Sequence, residues 1–295
     1  MRIRAGECVA VPTETVYGLA ADATNGEAVA SVYAAKGRPS FNPLIVHVPD
    51  LATAKTLADL NSTAEQLAAQ FWPGPLTMVL PRAKNSPVAD IVTAGLDTIA
   101  IRIPAHPAMQ ALLRASGRPL AAPSANASGR ISPTQAAHVR QSLDGKIGLI
   151  IDAGPSGLGL ESTIVAADDA SVRLLRPGPI TADQISDACG LAIEASKSEM
   201  ITAPGQLETH YAPAKPLRLD ASSGEPDEWL IGFGAVAGDA SLSDTGDLIE
   251  AAVNLFGCLH EADASDRPKI AVAPLPRDGI GEAIADRLAR AAHRD

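Results

Sequence analysis

Four stretches of the sequence place polar side chains where packing alone would favour apolar ones. The first, Pro12-Thr13-Glu14-Thr15-Val16-Tyr17-Gly18-Leu19, follows directly on an apolar run at residues 7–11. Hydroxyls and a carboxylate just past a strand face the crevice where α/β proteins bind ligands; the competing role is a turn that caps the next helix. The second is Lys36-Gly37-Arg38-Pro39, then Asn42-Pro43 and an apolar run at 44–48 that contains His47. A lysine point charge and an arginine fork around a glycine suit a triphosphate, and the two prolines stiffen the loop. Basic residues at a helix C-terminus also complement its dipole, and a histidine within an apolar strand is more often a hydrogen-bonded core residue than a ligand.

The third stretch, Thr98-Ile99-Ala100-Ile101-Arg102-Ile103, alternates with the period of a strand, so Thr98, Ala100 and Arg102 share a face. A guanidinium buried there needs an anion, an open crevice or a structural salt bridge. The fourth, Ala122-Pro123-Ser124-Ala125-Asn126-Ala127-Ser128-Gly129, is followed by Ser132-Pro133-Thr134. Its small residues admit a ligand to the backbone, and Ser124 and Asn126 offer hydrogen bonds to ribose, phosphate or base. A surface loop whose Ser132 or Thr134 caps the next helix is the plainer reading.

The elements that must hold these residues are short. Strands are expected near 7–11, 44–48, 77–80, 98–103, 119–122, 147–151, 162–166 and 172–175, and helices over 25–36, 51–60, 62–71, 106–115, 134–143 and 181–188. That mixture predicts an α/β or α+β domain at 1–188, built around one twisted sheet. Residues 189–216 read as a linker, punctuated by Ala-Pro-Gly at 203–205. Residues 217–295 read as a small Rossmann-like α/β domain with strands at 217–219, 229–233 and 269–273 and helices at 248–260 and 281–292.

Composition narrows the function. The 295 residues are 46% hydrophobic and only 3% aromatic. Three cysteines lie far apart, with no C-x-x-C, which argues against a disulfide framework and a cysteine zinc site and fits a reducing cytoplasm. No apolar run approaches the ~18–20 residues of a membrane span. The net charge of −10 is uneven: residues 1–185 hold 15 basic and 15 acidic residues, leaving 9 and 19 for residues 186–295. An acidic C-terminal third disfavours a long phosphodiester track, whereas a neutral N-terminal part can focus a few cations on a small anion. A nucleotide fits better than a polynucleotide.

The motifs at 12–19, 36–39, 42–47 and 123–129, with Glu161-Ser162-Thr163-Ile164-Val165 and Leu175-Arg176-Pro177-Gly178 downstream, resemble the L-threonylcarbamoyladenylate synthase family. His210-Tyr211-Ala212-Pro213 and Asp286-Arg287-Leu288 resemble its long form. The resemblance implies a YrdC-like twisted open sheet with a concave, anion-friendly face. It implies a threonine pocket drawn from Thr15, His47, Arg102, Ala122 and Ser162. It also implies an ATP site drawn from Lys36, Arg38, Asn42, Thr98, Ser124, Asn126, Ser132 and Arg176, with Tyr211 folding over the nucleotide. Lys36, Arg38 and Arg102 would be the catalytic cations. Mg²⁺ is expected on the pyrophosphate, with no residue assigned as a metal ligand, and Glu14 and His47 are the candidates for a general base.

The partners implied are ATP, L-threonine, bicarbonate and a tRNA threonylcarbamoyl transferase that takes the product, with no stable nucleic-acid binding. In two places the sequence departs from the family. It starts only a few residues before the first strand, where a leading helix is usual, and Gln206-Leu207-Glu208-Thr209 replaces a more basic linker stretch. An RNA-binding or ribosome-maturation protein using the same face is the competing reading. The charge split and the lack of interleaved aromatics count against it. A carbamoyl-transfer domain for another acceptor would need the zinc cysteines of larger hydrogenase-maturation proteins, and a dinucleotide oxidoreductase would need a G-x-G-x-x-G, which is absent.

Overall fold

The computed structural model describes residues 2–39, 41–195 and 210–293. The N-terminal part carries nine strands: β1 (Val9–Pro12), β2 (Tyr17–Asp22), β3 (Ile45–His47), β4 (Leu76–Pro81), β5 (Thr98–Arg102), β6 (Leu120–Ala121), β7 (Thr163–Ala167), β8 (Val172–Arg176) and β9 (Ile193–Ala195). They form one mixed sheet in the order β1-β2-β6-β3-β5-β4-β7-β8-β9. Among the described residues, seven helices connect them: α1 (Gly26–Lys36), α2 (Leu51–Leu57), α3 (Ser62–Phe71), α4 (Asp90–Thr93), α5 (Pro107–Ser116), α6 (Ala136–Leu143) and α7 (Ala182–Cys189).

The period-2 pattern of β5 sorts its side chains between two environments. Ile99 and Ile101 enter the main core with Val46, Met78 and Leu80, beneath Leu57 of α2, Leu67 of α3 and Ile185 of α7. Ala100 lies on the opposite face with Ile45, Val79 and Ile164, a smaller apolar floor. Arg102 shares that second face by alternation. One side of the sheet is therefore closed by helices, and the other carries the polar motifs.

The C-terminal part forms a second, four-stranded sheet from β10 (Leu217–Arg218), β11 (Glu228–Gly232), β12 (Ala240–Ser241) and β13 (Lys269–Val272), in the order β10-β13-β11-β12. Every pairing in it is parallel; α8 (Leu248–Ala264) makes the crossover from β12 to β13, and α9 (Ile280–Ala292) follows the last strand. Its core extends into the N-terminal part and the connecting segment: Val16, Ile131 and Leu160, with Tyr211, pack in one cluster with Leu255, Phe256 and Ile284. Gly159 shows how close the contact is. It sits at φ +71°, and a Cβ there would lie 2.3 Å from the Ala252 carbonyl oxygen of α8.

Several expectations need correction. The stretch at 12–19 caps no helix; it is the turn and second strand of a β-hairpin. The Thr13 hydroxyl donates to the Val16 carbonyl at 2.7 Å and accepts from the Val16 amide, closing the turn between β1 and β2. The Gly and Ala residues of β2 hid its strand character. Residues 147–151 form no full strand. They make a single bridge, Ala10 with Ile150, because β1 is only four residues long and the chain turns away at Asp152. Within the segment read as linker, residues 193–195 add an edge strand beside β8. The 203–205 and 206–209 stretches lie outside the described residues. A single 3₁₀ turn, Arg2–Ala5, precedes β1 and buries Ile3. Among the described residues, no helix is long and apolar enough to cross a membrane.

Candidate active site

A cleft opens on the face that carries the polar motifs, between the β1–β2 hairpin, the ends of β3 and β5, the 122–124 loop, β7–β8 and the incoming His210-Tyr211. Of the residues named from sequence, it brings together Thr15, Arg38, His47, Arg102, Ala122, Ser124, Ser162, Arg176 and Tyr211.

One end is organised by Arg102, which is buried at 3% exposure. Its Nε donates to the Gly74 carbonyl at 3.1 Å, Nη1 to the Thr15 hydroxyl at 2.8 Å and Nη2 to Glu14 Oε1 at 2.6 Å. A guanidinium has five N–H groups, so these three bonds leave two for a ligand, one on each terminal nitrogen. Glu14 also accepts from the backbone amides of Ala105 and His106. Burial alone would raise its pKa, but the Arg102 charge and these hydrogen bonds hold it below the usual carboxylate range. His47 stands beside Arg102 in the parallel β3–β5 pairing. Burial, reinforced by the Arg102 charge, brings its pKa to about 3, and its Nδ1 has no partner. The imidazole is therefore neutral. Neither candidate base holds a proton well at neutral pH, because Glu14 is locked into an ion pair and His47 is desolvated.

The other end is cationic. Gly37, at φ +62°, ends α1 in the left-handed conformation, so Lys36 closes the helix while Arg38 emerges beyond it. Arg38 reaches the carbonyls of Asn42 and Pro43 and lines the cleft. Burial and nearby Arg176 bring its pKa to about 10. Arg176, at the end of β8, grips the Ser162 carbonyl with Nε at 3.1 Å and Nη2 at 2.8 Å. The Ser162 hydroxyl pairs with Thr77 at 2.8 Å. Lys36 lies behind the cleft wall, with Nζ 2.5 Å from the Ser124 carbonyl and 2.6 Å from that of Asn126. Burial lowers its pKa well below the ordinary lysine value.

Lys36 is one of five residues assigned to the threonine or ATP site that do not line the cleft, and Glu14, named as a candidate base, does not line it either. Asn126 holds its own loop, donating to the carbonyls of Ala127 and Arg130. Ser132 donates to Glu161. Asn42 is fully buried, and both its amide atoms lack a partner. Thr98 lies at the far end of β5, in a separate depression with Val79, Ala166 and Leu175 on the same sheet face. Conversely, the cleft includes residues that lie in the sequence motifs but were assigned to neither substrate: Thr13, Val16, Gly18, Ile45, Pro123, Glu161 and His210. The signal for Glu161 was present, since a carboxylate ahead of an apolar strand and beside a named serine needs a partner.

Two matches cover nearly all of the chain. Residues 1–178 match the family model Sua5_yciO_yrdC, described as Telomere recombination. Residues 180–293 match that of the Threonylcarbamoyl-AMP synthase C-terminal domain. The chain belongs to the threonylcarbamoyl-AMP synthase family. The synthase of Bacillus subtilis is 42% identical over 98% of this chain and 90% of its own, and that of Pyrococcus abyssi 39% identical over 98% and 91%. The solved structure of P. abyssi Sua5 complexed with L-threonine aligns with a TM-score of 0.90 at 37% identity, covering 99% of this chain and 92% of that one. The mixed sheet and the parallel C-terminal sheet are therefore the family's YrdC-like and C-terminal architecture in its long form.

Proposed function

We propose that this chain condenses L-threonine, bicarbonate and ATP into threonylcarbamoyl-AMP, releasing pyrophosphate. The observation that carries this reading is a cleft with cationic side chains at both ends, Arg102 at one and Arg38 and Arg176 at the other. The Arg102 guanidinium keeps two uncommitted N–H groups, and Arg38 and Arg176 line the other end with Lys36 behind its wall. A bidentate carboxylate fits the Arg102 end. There the threonine amino group would lie toward neutral His47 and Ser162, and its methyl against Val16 and Ile45.

The neutral amine and bicarbonate give a carbamate and water. A carbamate oxygen then attacks the α-phosphorus of ATP, the bond to the bridging oxygen of the β-phosphate breaks, and pyrophosphate leaves. Both reactants are anions, so the protein's work is alignment and charge neutralisation. Arg38 and Arg176 face the phosphates, and Lys36 braces the Ser124–Asn126 loop from behind. No side chain acts as a nucleophile. Among the described residues, no three His, Cys, Asp or Glu side chains gather as a metal cluster, and Glu161, the carboxylate at this end, is already engaged by Arg287 and Ser132. Mg²⁺ would accordingly enter on the phosphate oxygens of ATP and neutralise charge there. The product is a reactive mixed anhydride, suited to a transferase that moves threonylcarbamoyl onto tRNA in the cytoplasm.

The test is pyrophosphate release from Mg·ATP with threonine and bicarbonate omitted singly, together with mass analysis of the products. Release that needs both co-substrates, with the adenylate mass present, supports the reading. ATP binding without threonine-dependent turnover would refute it.

A further inference from the structure

We infer that Arg287, on the last helix of the C-terminal part, is a positioning residue for the ATP end of the cleft. It fixes Glu161 and the Tyr211 ring so that the triphosphate meets cations rather than a loose carboxylate. This deepens the function proposed above and rests on it.

Arg287 is fully buried, an expensive place for a guanidinium unless its partners are fixed. Its Nε donates to Glu161 Oε2 at 2.9 Å, and its Nη1 to Asp286 at 2.7 Å. Asp286 is held in turn by Arg290 at 2.9 Å. The guanidinium carbon sits 5.3 Å from the centre of the Tyr211 ring, close enough for a cation–π contact. Tyr211 also rests on Phe256 of α8, with ring centres 5.6 Å apart. The C-terminal part thus supplies both the cation and the apolar wall that seat Tyr211 over the cleft.

Glu161 is the link to the substrate. It lines the cleft, its second oxygen takes the Ser132 hydroxyl, and the next residue, Ser162, supplies the carbonyl that Arg176 grips. A carboxylate here opposes a polyphosphate unless its charge is cancelled. Burial would favour the neutral acid, yet Arg287 and Arg176 hold Glu161 below the usual carboxylate range. Without Arg287, an ionised Glu161 would repel the phosphates or turn onto Arg176 and take that cation from them. In either case ATP binding suffers and the Arg102 end does not.

The experiment uses the full chain as Arg287→Met, Arg287→Lys and the double variant Arg287→Met/Glu161→Gln. Mg·ATP binding is measured by titration calorimetry, and KM is measured separately for ATP and threonine. Arg287→Met is expected to weaken ATP by about tenfold or more, the order set by one unit charge at short range in a partly buried site. Threonine KM should stay within about threefold. Removing the opposing charge in the double variant should return ATP affinity to within about threefold of the parent. Parallel losses for ATP and threonine, or no recovery with Glu161→Gln, would make Arg287 a structural plug and overturn the inference. Should Arg287→Met not fold, Arg287→Gln decides by the same split between the two substrates, and Arg287→Lys, which keeps the charge, should hold ATP affinity within about threefold of the parent. The calorimetric arm reads ATP alone, so it stands even if turnover fails and the synthase reading falls.

Discussion

Replacing Arg102 by lysine isolates the end of the cleft proposed for threonine. Arg102 makes three protein contacts, to Gly74, Thr15 and Glu14, and has two N–H groups left for a carboxylate. Lysine keeps a positive charge near buried Glu14, so the fold is spared the cost of an orphaned carboxylate. Its single ammonium cannot reproduce the three contacts and a planar fork together. Hydrogen bonds to charged groups contribute about 1.5–3 kcal/mol each, and trading a bidentate pair for one point contact forfeits roughly one of them, or about 10–150-fold. The expected result is a rise of that size in KM for threonine, with ATP affinity nearly unchanged. The assay is pyrophosphate release at saturating ATP and bicarbonate with threonine varied, alongside a thermal melt. An unchanged threonine KM, or a loss confined to ATP, would refute the placement of the carboxylate at Arg102.

Lys36→Met should weaken ATP binding and loosen the 124–126 loop. In the parent, ATP affinity should decline as pH rises through the lowered Lys36 pKa, because the phosphates favour the protonated amine. Gly159→Ala forces a Cβ into the Ala252 carbonyl at a left-handed φ, and should cost about 1–3 kcal/mol of stability, read as a lower melting temperature. His138 and His260 stack at 3.8 Å between α6 and α8, and burial brings both to about 4 from 6.5. Below pH 6.5 the unfolded chain binds protons that the folded pair refuses, so stability should fall from pH 6.5 toward pH 4. The loss is on the order of 2–4 kcal/mol for the coupled pair, and thermal melts of the parent and His260→Asn should show the slope shrinking in the variant.

The motifs that line the cleft were legible because each is a local run of sequence, part of which meets the others in space. Lys36 and Arg38 straddle a glycine cap, and Thr15 follows the Thr13 turn. Arg102 was legible through a different signal, as the one charge on an apolar alternation, and the structure gives it both a salt bridge to Glu14 and an open face. What sequence reasoning missed is what only tertiary contact creates. The Gly-Ala composition of β2 disguised a strand that β1 and β6 hold in place. Ser132 and Asn126 have donor chemistry suited to a nucleotide, but nothing local says that Glu161 and the loop carbonyls claim them first. The contact between Arg287 and Glu161 spans 126 positions, and no periodicity encodes it.

Two carboxylate–arginine pairs, Glu14–Arg102 and Glu161–Arg287, bracket the cleft, and both are largely or fully buried. Buried ion pairs seldom add net stability over apolar residues of the same size, because desolvation consumes most of the attraction. Their value here is directional. In the first pair the arginine faces the cleft and the carboxylate stands behind it, so the pair orients a cation for a ligand anion. In the second the order is reversed: the carboxylate lines the cleft and the arginine backs it. On the proposed function that carboxylate stands beside the phosphates of ATP and can remain there only while its charge is cancelled, which would make the C-terminal part an electrostatic component of a site built almost wholly from the N-terminal sheet.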